Sequence, residues 1–313
     1  MTTAFTFPGQ GSQQVGMGRA LAEAFPPSRA VFEEVDEALG QPLSRLMWDG
    51  PEDQLTLTEN AQPALLAVSI AALRALEAEA GLVVARDVAF VAGHSLGEYS
   101  ALTAAGSFAL SDAARLLRLR GQAMQRAVPV GAGAMAALLG LELEPVREIV
   151  AEAGADEVQI ANDNGPGQVV VSGAKPAVER AVEIAKARGA KRAIMLSVSA
   201  PFHCALMQPA AEIMRQALAE TRIHDPTVPL IANVTAAPVT RAEDIRACLA
   251  EQVTGTVRWR ESVAYMAHHG VNRLCEIGAG KVLTGLAKRI APNAAAMAIG
   301  SPEDVANFTA AQS

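Results

Sequence analysis

This chain of 313 residues has only three cysteines, Cys204, Cys248 and Cys275, and no C-x-x-C spacing among them. So sparse and odd a set of thiols argues against a disulfide framework or a zinc site and fits a reducing cytoplasm. Aromatic residues make up 4% of the chain while hydrophobic residues make up 50%, which predicts a large core of closely packed helices. No apolar run is long enough to read as a membrane span. The segment Met1 to Phe7 lacks the basic region and long apolar stretch of a secretory signal. Lys and Arg number 26 against 33 Asp and Glu, a net charge of −7, which argues against nucleic acid or an anionic membrane as the main partner. Nucleotide loops are missing as well. Pro8-Gly9-Gln10-Gly11-Ser12-Gln13 would need Gly where Gln14 stands to be a dinucleotide fingerprint. Gly278-Ala279-Gly280-Lys281 fails as a P-loop, with Cys275 at the required Gly and Val282 in place of Ser or Thr.

What is present is Gly93-His94-Ser95-Leu96-Gly97, a G-x-S-x-G sequence. It follows the apolar run Val88 to Ala92 and precedes a helix-like run from Ala101 to Ala105. Strand, sharp turn and helix are the context of a nucleophile elbow. The turn lifts the Ser95 hydroxyl clear of the sheet, and the residues two positions away on each side must be small. Ser95 is therefore a candidate acyl carrier, with the backbone N–H of Leu96 as first oxyanion donor.

The pattern around the elbow alternates strands and helices. A strand over Thr3 to Phe7 leads into the Gly-rich loop, which suits a second oxyanion donor. Helices are predicted at Val31 to Leu39, Pro63 to Ala80 and Ser111 to Ala127, with Ser111 as N-cap. Strands are predicted at Ala134 to Leu139, Val158 to Ala161, Gln168 to Ser172 and Lys191 to Val198. With helices at Glu144 to Ala153 and Lys175 to Arg188 they give the order βαββαβ of a ferredoxin-like unit. Residues 130–198 are read as a small subdomain inserted into a large one made of 1–129 and 199–313. Further along come a helix from Cys204 to Glu220, a strand from Val228 to Asn233, and a helix announced by the capping-box spacing of Thr240 and Glu243. Trp259 to His269 reads as a helix, Arg273 to Ile277 as a strand and Val282 to Ile290 as a helix. The sequence after Ser301 carries little signal. The fold class is α/β, a hydrolase-like core with a mostly parallel sheet and a ferredoxin-like insert.

Ser95 needs a base, because a free hydroxyl is a weak nucleophile at neutral pH. The chain has five histidines. His268 and His269 sit at a helix end, His224 in a polar turn, and His94 inside the elbow itself. His203 follows Ser199-Ala200-Pro201-Phe202 at a strand end, where catalytic groups collect in open α/β sheets, and is the best candidate. An acidic partner for it is not evident; Asp225, Asp244, Glu276 and a backbone carbonyl all stand open. Arg115 and Arg118 share a face of one helix and read as a solvated stripe. Arg120 lies ~200° from Arg118 around the axis, so it points inward, where a guanidinium would bind a substrate carboxylate bidentately. Gly121 beside it would let a chain or ligand approach.

Phe7 to Gln13 (FPGQGSQ), Gly93 to Tyr99 (GHSLGEY), Arg120 within LRLRGQAMQ, Pro166 to Gly173 (PGQVVVSG), Ser199 to Met207 (SAPFHCALM), Gln252 to Trp259 and Glu276 to Leu286 (EIGAGKVLTGL) together resemble the bacterial malonyl-CoA:acyl carrier protein transacylases of type II fatty acid synthesis. The resemblance runs through almost the whole chain. It implies ping-pong transfer of a malonyl group from malonyl-CoA through Ser95 to the phosphopantetheine thiol of acyl carrier protein, with His203 as base and then acid. It implies an oxyanion hole of the Gln10 and Leu96 N–H groups, Arg120 on the malonyl carboxylate, and the Gln252 carbonyl orienting His203. Asn162 matches a polar position near the cleft, and His94 and Phe202 complete the substrate-binding set. Phe202 stands where some members carry a small residue, and related domains selective for malonyl over methylmalonyl carry Phe there. No permanently bound cofactor or metal is implied, and a cytoplasmic monomer is expected. Carrier proteins are acidic, so docking on this acidic chain needs a local basic patch: Lys186, Arg188, Lys191 and Arg192 form one cluster, Lys288 and Arg289 another.

Three other readings compete. A serine esterase or thioesterase would share the elbow but would carry an acidic triad member and have no use for Arg120. The malonyl-transfer subunit of malonate decarboxylase would use a different carrier. A non-catalytic binding module would not need Ser95, His203 and Arg120 together.

Overall fold

The computed structural model describes residues 1–311 and contains two sheets. The larger has the order β10-β9-β1-β2-β7-β8, built from Thr3–Phe7 (β1), Phe90–Gly93 (β2), Leu230–Ile231 (β7), Pro238–Val239 (β8), Arg273–Ile277 (β9) and Ala295–Ile299 (β10). Its first five strands in that order run parallel, and β8 pairs antiparallel with β7 at the edge. All five residues of β1 are buried, the signature of a central parallel strand covered on both faces. The smaller sheet has the order β4-β5-β3-β6, from Val158–Gly165 (β4), Gln168–Ala174 (β5), Gly133–Leu139 (β3) and Arg192–Met195 (β6), and every pairing is antiparallel. Helices Leu143–Gly154 and Lys175–Ala187 pack against it through a separate core that includes Val146, Ile149, Val178 and Ala181. Chain order βαββαβ and this strand order are the ferredoxin-like arrangement, so the fold class read from sequence holds.

Several elements differ from expectation for identifiable reasons. The helix predicted from Pro63 begins at Thr58 and runs to Ala80. Pro63, in the second turn, forgoes the one backbone bond its N–H would make to the Glu59 carbonyl, and the Thr58 hydroxyl accepts from Gln62 Nε2 at 2.9 Å in the first turn. This same helix is long and apolar enough to cross a membrane, contrary to the reading of the sequence, yet 83% of its apolar window is buried inside the protein, where it serves as a central core helix. Ser111 is not a cap: the helix is Leu110–Ala127, with Ala109 before it and no side-chain cap. The Thr240/Glu243 capping box does not form either; the helix Ala242–Gln252 starts after Arg241, and Asp225 Oδ1 accepts the Ala242 N–H at 2.7 Å from another segment. A capping box does form at Ser301 and Asp304, opening the helix Pro302–Ala310 in the tail that carried little signal. Asn162 to Gly165 belong to β4, so only Pro166 and Gly167 remain as the turn, while the strands near residues 191–198 and 228–233 shrink to β6 and β7.

The two sheets meet beside the elbow. Asn162 forms a parallel bridge to Val257. Asp163, 2% exposed, receives Arg260 at 2.9 Å. His94 Nε2 lies 2.8 Å from Asn164 Oδ1.

Candidate active site

Close backbone approach sets the turn after β2. A Cβ on Gly93 would lie 1.9 Å from the Gly97 carbonyl group, and one on Gly97 would lie 2.3 Å from Phe7 O, so neither position tolerates a side chain. The helix Gly97–Ala104 starts at once, rather than at Ala101. Ser95 between them has φ 53°, in the left-handed region that costs a non-glycine residue ~1–3 kcal/mol. Three side-chain bonds offset that strain. The Ser95 N–H donates to Asn233 Oδ1 at 2.8 Å, the Ser95 carbonyl accepts from Gln252 Nε2 at 3.0 Å, and the Gly93 carbonyl accepts from Asn233 Nδ2 at 2.7 Å. His203 is the second strained residue, with φ 58°.

These two strained residues face each other. Ser95 Oγ lies 2.8 Å from His203 Nε2, and His203 Nδ1 lies 2.9 Å from the carbonyl oxygen of Gln252. A carbonyl only accepts, so Nδ1 carries the proton and Nε2 is left as acceptor for the serine hydroxyl. Burial first, and the Arg120 cation second, push the His203 pKa down to about 3, so the resting ring is neutral with Nε2 unprotonated. His203 makes no hydrogen bond to Asp225, Asp244 or Glu276 among the described residues. Asp225 is engaged at the helix start described above, and Glu276 accepts from the Leu283 and Thr284 N–H groups at 3.1 and 2.7 Å. Of the alternatives left open, a backbone carbonyl orients the imidazole.

Arg120 is 2% exposed. Its Nη1 donates to Gln62 Oε1 at 2.8 Å, and its Nη2 donates to Gln252 Oε1 at 2.8 Å and to Ser95 Oγ at 3.1 Å. The Nε of the same guanidinium is buried without a partner among the described residues. Gly121 admits not a ligand but the helix Thr58–Ala80, since a Cβ there would stand 2.5 Å from Glu59 Cα. Arg118 is no solvated stripe: half-buried, it donates to Asn60 Oδ1 at 2.6 Å, while Arg115 is exposed.

A cavity of about 370 Å³ opens over Ser95, lined by Gln10, Arg120, Asn162, Phe202 and His203 among others. His94 lines it too, with its Nε2 held by Asn164 and its ring 5.6 Å from that of Trp259. The side chain of Gln10 accepts from Thr58 Oγ1 at 2.9 Å, anchoring the Gly-rich loop, and neither the Gln10 nor the Leu96 N–H has an acceptor among the described residues. Ser95, His203, Arg120, Gln10, Leu96, Asn162, His94 and Phe202 thus all line this one cavity, and Gln252 lies beneath it, fully buried.

Sequence reasoning missed the residues that hold the site from below. Gln62, Glu98 and Asn233 are all buried. Glu98 Oε1 accepts the Asn233 N–H at 3.3 Å, and Glu98 Oε2 accepts a short bond from Gln252 Nε2. Burial raises the Glu98 pKa to about 7, opposed by the bonds from Gln252 and Asn233 and by the charge of Arg120. Asn233 had a usable signal, a polar residue at the end of a strand next to the elbow strand. For Gln62 there was none.

Residues 4–298 match the family model of the acyl transferase domain. The chain is 48% identical over 305 residues to a malonyl CoA-acyl carrier protein transacylase of Bacillus subtilis, covering 96% of this chain and 94% of that protein. Its structure superposes with a TM-score of 0.97 on an acyl-carrier-protein-S-malonyltransferase from Bartonella henselae, at 56% identity over 99% of both chains. A malonyl-transacylase solved in complex with its type II PKS acyl-carrier protein matches with a TM-score of 0.95 and 44% identity, covering 99% of this chain and 100% of that one.

Proposed function

This chain belongs to the acyl transferase domain family, and on that footing we propose that it loads malonyl groups through Ser95. The enzyme transfers the malonyl group of malonyl-CoA to the phosphopantetheine thiol of acyl carrier protein, supplying fatty acid synthesis. The observation that supports Ser95 as carrier is its hydroxyl, which touches both the neutral imidazole of His203 and the guanidinium of Arg120. Ser95 Oγ attacks the thioester carbon while His203 Nε2 takes its proton. The tetrahedral oxyanion lies between the free N–H groups of Gln10 and Leu96, the latter at the start of the helix Gly97–Ala104, where the dipole favours negative charge. Collapse expels the CoA sulfur, which leaves with the proton held by His203. The carrier thiol then gives its proton to His203 and attacks the malonyl ester, and Ser95 Oγ leaves with that proton. Arg120 holds the malonyl carboxylate, and Asn162 and His94 shape the wall. Phe202 crowds an α-methyl group, a discrimination of ~1–3 kcal/mol that gives preference and not exclusion.

In this reading residues 1–129 and 199–313 form the catalytic domain and 130–198 the small subdomain, a division supported by the two separate sheets. The enzyme acts as a cytoplasmic monomer, without nucleic acid or membrane as partner, and uses no permanently bound cofactor. Acyl carrier protein docks where basic charge is unspent. Lys186 is paired with Glu183 at 2.7 Å and Arg188 with Glu148 at 2.8 Å, so half of that predicted patch is neutralised. Lys191 and Arg192 carry no ion pair among the described residues; Arg192 begins the edge strand β6, Lys191 directly precedes it, and the chain after the strand reaches the cavity wall at Leu196 and Val198. Incubation with malonyl-CoA alone tests the transfer: a single burst of CoA matching the enzyme, with stable malonyl-Ser95, is expected. Continuous CoA release without carrier protein would instead identify a thioesterase.

A further inference from the structure

The catalytic steps above leave one buried carboxylate unused. Glu98 is 0% exposed, lies in the first turn of the helix that follows the elbow, and reaches the underside of the site. Both its carboxyl oxygens accept hydrogen bonds here, one from the Asn233 N–H and one from Gln252 Nε2. The second bond has a particular consequence. The O and N of a side-chain amide are nearly the same shape, so the amide of Gln252 can be turned either way by its surroundings. Its Nε2 also donates to the Ser95 carbonyl at 3.0 Å, and its Oε1 accepts from Arg120 Nη2 at 2.8 Å. Turned the other way, it would place an amide NH₂ against the guanidinium and an oxygen against two acceptors. The backbone carbonyl of the same residue holds His203 Nδ1. Gln252 thus touches the nucleophile, the cation and the base at once, and Glu98 acts with the Ser95 carbonyl and Arg120 in setting which way its amide points.

We propose that Glu98 is a positioning residue for acyl transfer: by accepting from Gln252 and Asn233 it fixes the Gln252 amide, and through it the mutual placement of Ser95, His203 and Arg120. The proposal rests on the reading of Ser95 as acyl carrier. Replacing Glu98 by Gln keeps the shape but offers one acceptor where two donors arrive, so either Gln252 or Asn233 meets an NH₂ group. It also leaves the Arg120 cation without the nearby buried anion.

The test uses the full-length enzyme and two readouts, each normalised to active sites. One is the rate at which phenylmethylsulfonyl fluoride labels Ser95, which reads the Ser95–His203 pair without malonyl or CoA. The other is the ratio of malonyl to acetyl transfer, which reads Arg120. For Glu98→Gln, labelling is expected to slow about tenfold or more, the loss of one charge-assisted hydrogen bond, and the malonyl preference to shrink. A scaffold role alone would lower the active fraction and leave both normalised values at those of the parent, which overturns the proposal. If Glu98→Gln does not fold, Glu98→Asp, which keeps the charge but not the reach, is measured in the same way; parent values for it overturn the proposal equally. Failure of the reading beneath looks different: unaltered parent enzyme, or Ser95→Ala, would then show labelling at a residue other than Ser95.

Discussion

Replacing Arg120 by Ala separates recognition of the acyl group from chemistry on it. The guanidinium is buried, and its Nη1 and Nη2 already donate to Gln62, Gln252 and Ser95, which fixes its plane under the cavity floor. Under the proposed function, the carboxylate of a bound malonyl group has this cation as its partner. Truncating one member of a buried, hydrogen-bonded charge pair costs about 2–5 kcal/mol. At ~1.36 kcal/mol per factor of ten, malonyl transfer should fall by between about 30-fold and several thousand-fold in kcat/KM. Acetyl transfer has no carboxylate to lose and should fall far less, through the Ser95 contact alone. The assay is kcat/KM for malonyl-CoA and acetyl-CoA on parent and variant, with carrier protein saturating. A large selective loss for malonyl is expected, together with lower thermal stability because Gln62 and Gln252 are left with unpaired acceptors. Equal losses for both acyl groups would refute the carboxylate role and make Arg120 a structural cation.

His203→Ala should slow formation of the acyl enzyme by at least ~10²-fold in a rapid-quench measurement of the CoA burst, and an unchanged burst rate would remove His203 as base. Phe202→Ala should improve methylmalonyl transfer relative to malonyl by up to ~10²-fold, read from the ratio of the two kcat/KM values; an unaltered ratio assigns selectivity to other residues. Charge reversal at Lys191 and Arg192 should raise KM for the carrier protein and leave KM for malonyl-CoA unchanged, whereas reversal at the ion-paired Lys186 should change neither. The lowered pKa of His203 also has a consequence for stability. The unfolded chain binds a proton near the ordinary histidine value while the folded site does not, so this stability is present above that value and is lost as pH falls towards about 3. His203→Gln should therefore lose less stability than the parent between pH ~6.5 and ~5, by at most ~2 kcal/mol in urea unfolding, and identical slopes would contradict a neutral buried ring.

The parts of the site that sequence made legible are those fixed by local geometry. Gly93 and Gly97 bracket Ser95 because backbone passes within contact distance of both, and that requirement is written in adjacent positions. Arg120 was placed by helical phase, which is also local. The same logic failed at Ser111 and Thr240, where side chains that suit a helix start were present but neighbouring segments set the boundary, as Asp225 does for Ala242. It failed for Arg118, whose phase relative to Arg115 could not show that Asn60 would be waiting from another helix.

Taken alone, the sequence determined the elbow that carries Ser95, the strand and helix alternation, the ferredoxin-like insert and the inward arginine, all of them consequences of periodicity or of close steric spacing along the chain. The tertiary structure decided what orients the base. Of the carboxylates open to consideration none reaches His203, and the Gln252 carbonyl does, because the end of one helix is carried beneath an elbow 157 residues away in the chain. It also decided that Glu98, one residue beyond the elbow, lies beneath the site and not in solvent. Burial and the choice between a carbonyl and a carboxylate are properties of segments brought together by the core, and no spacing within a single segment records them.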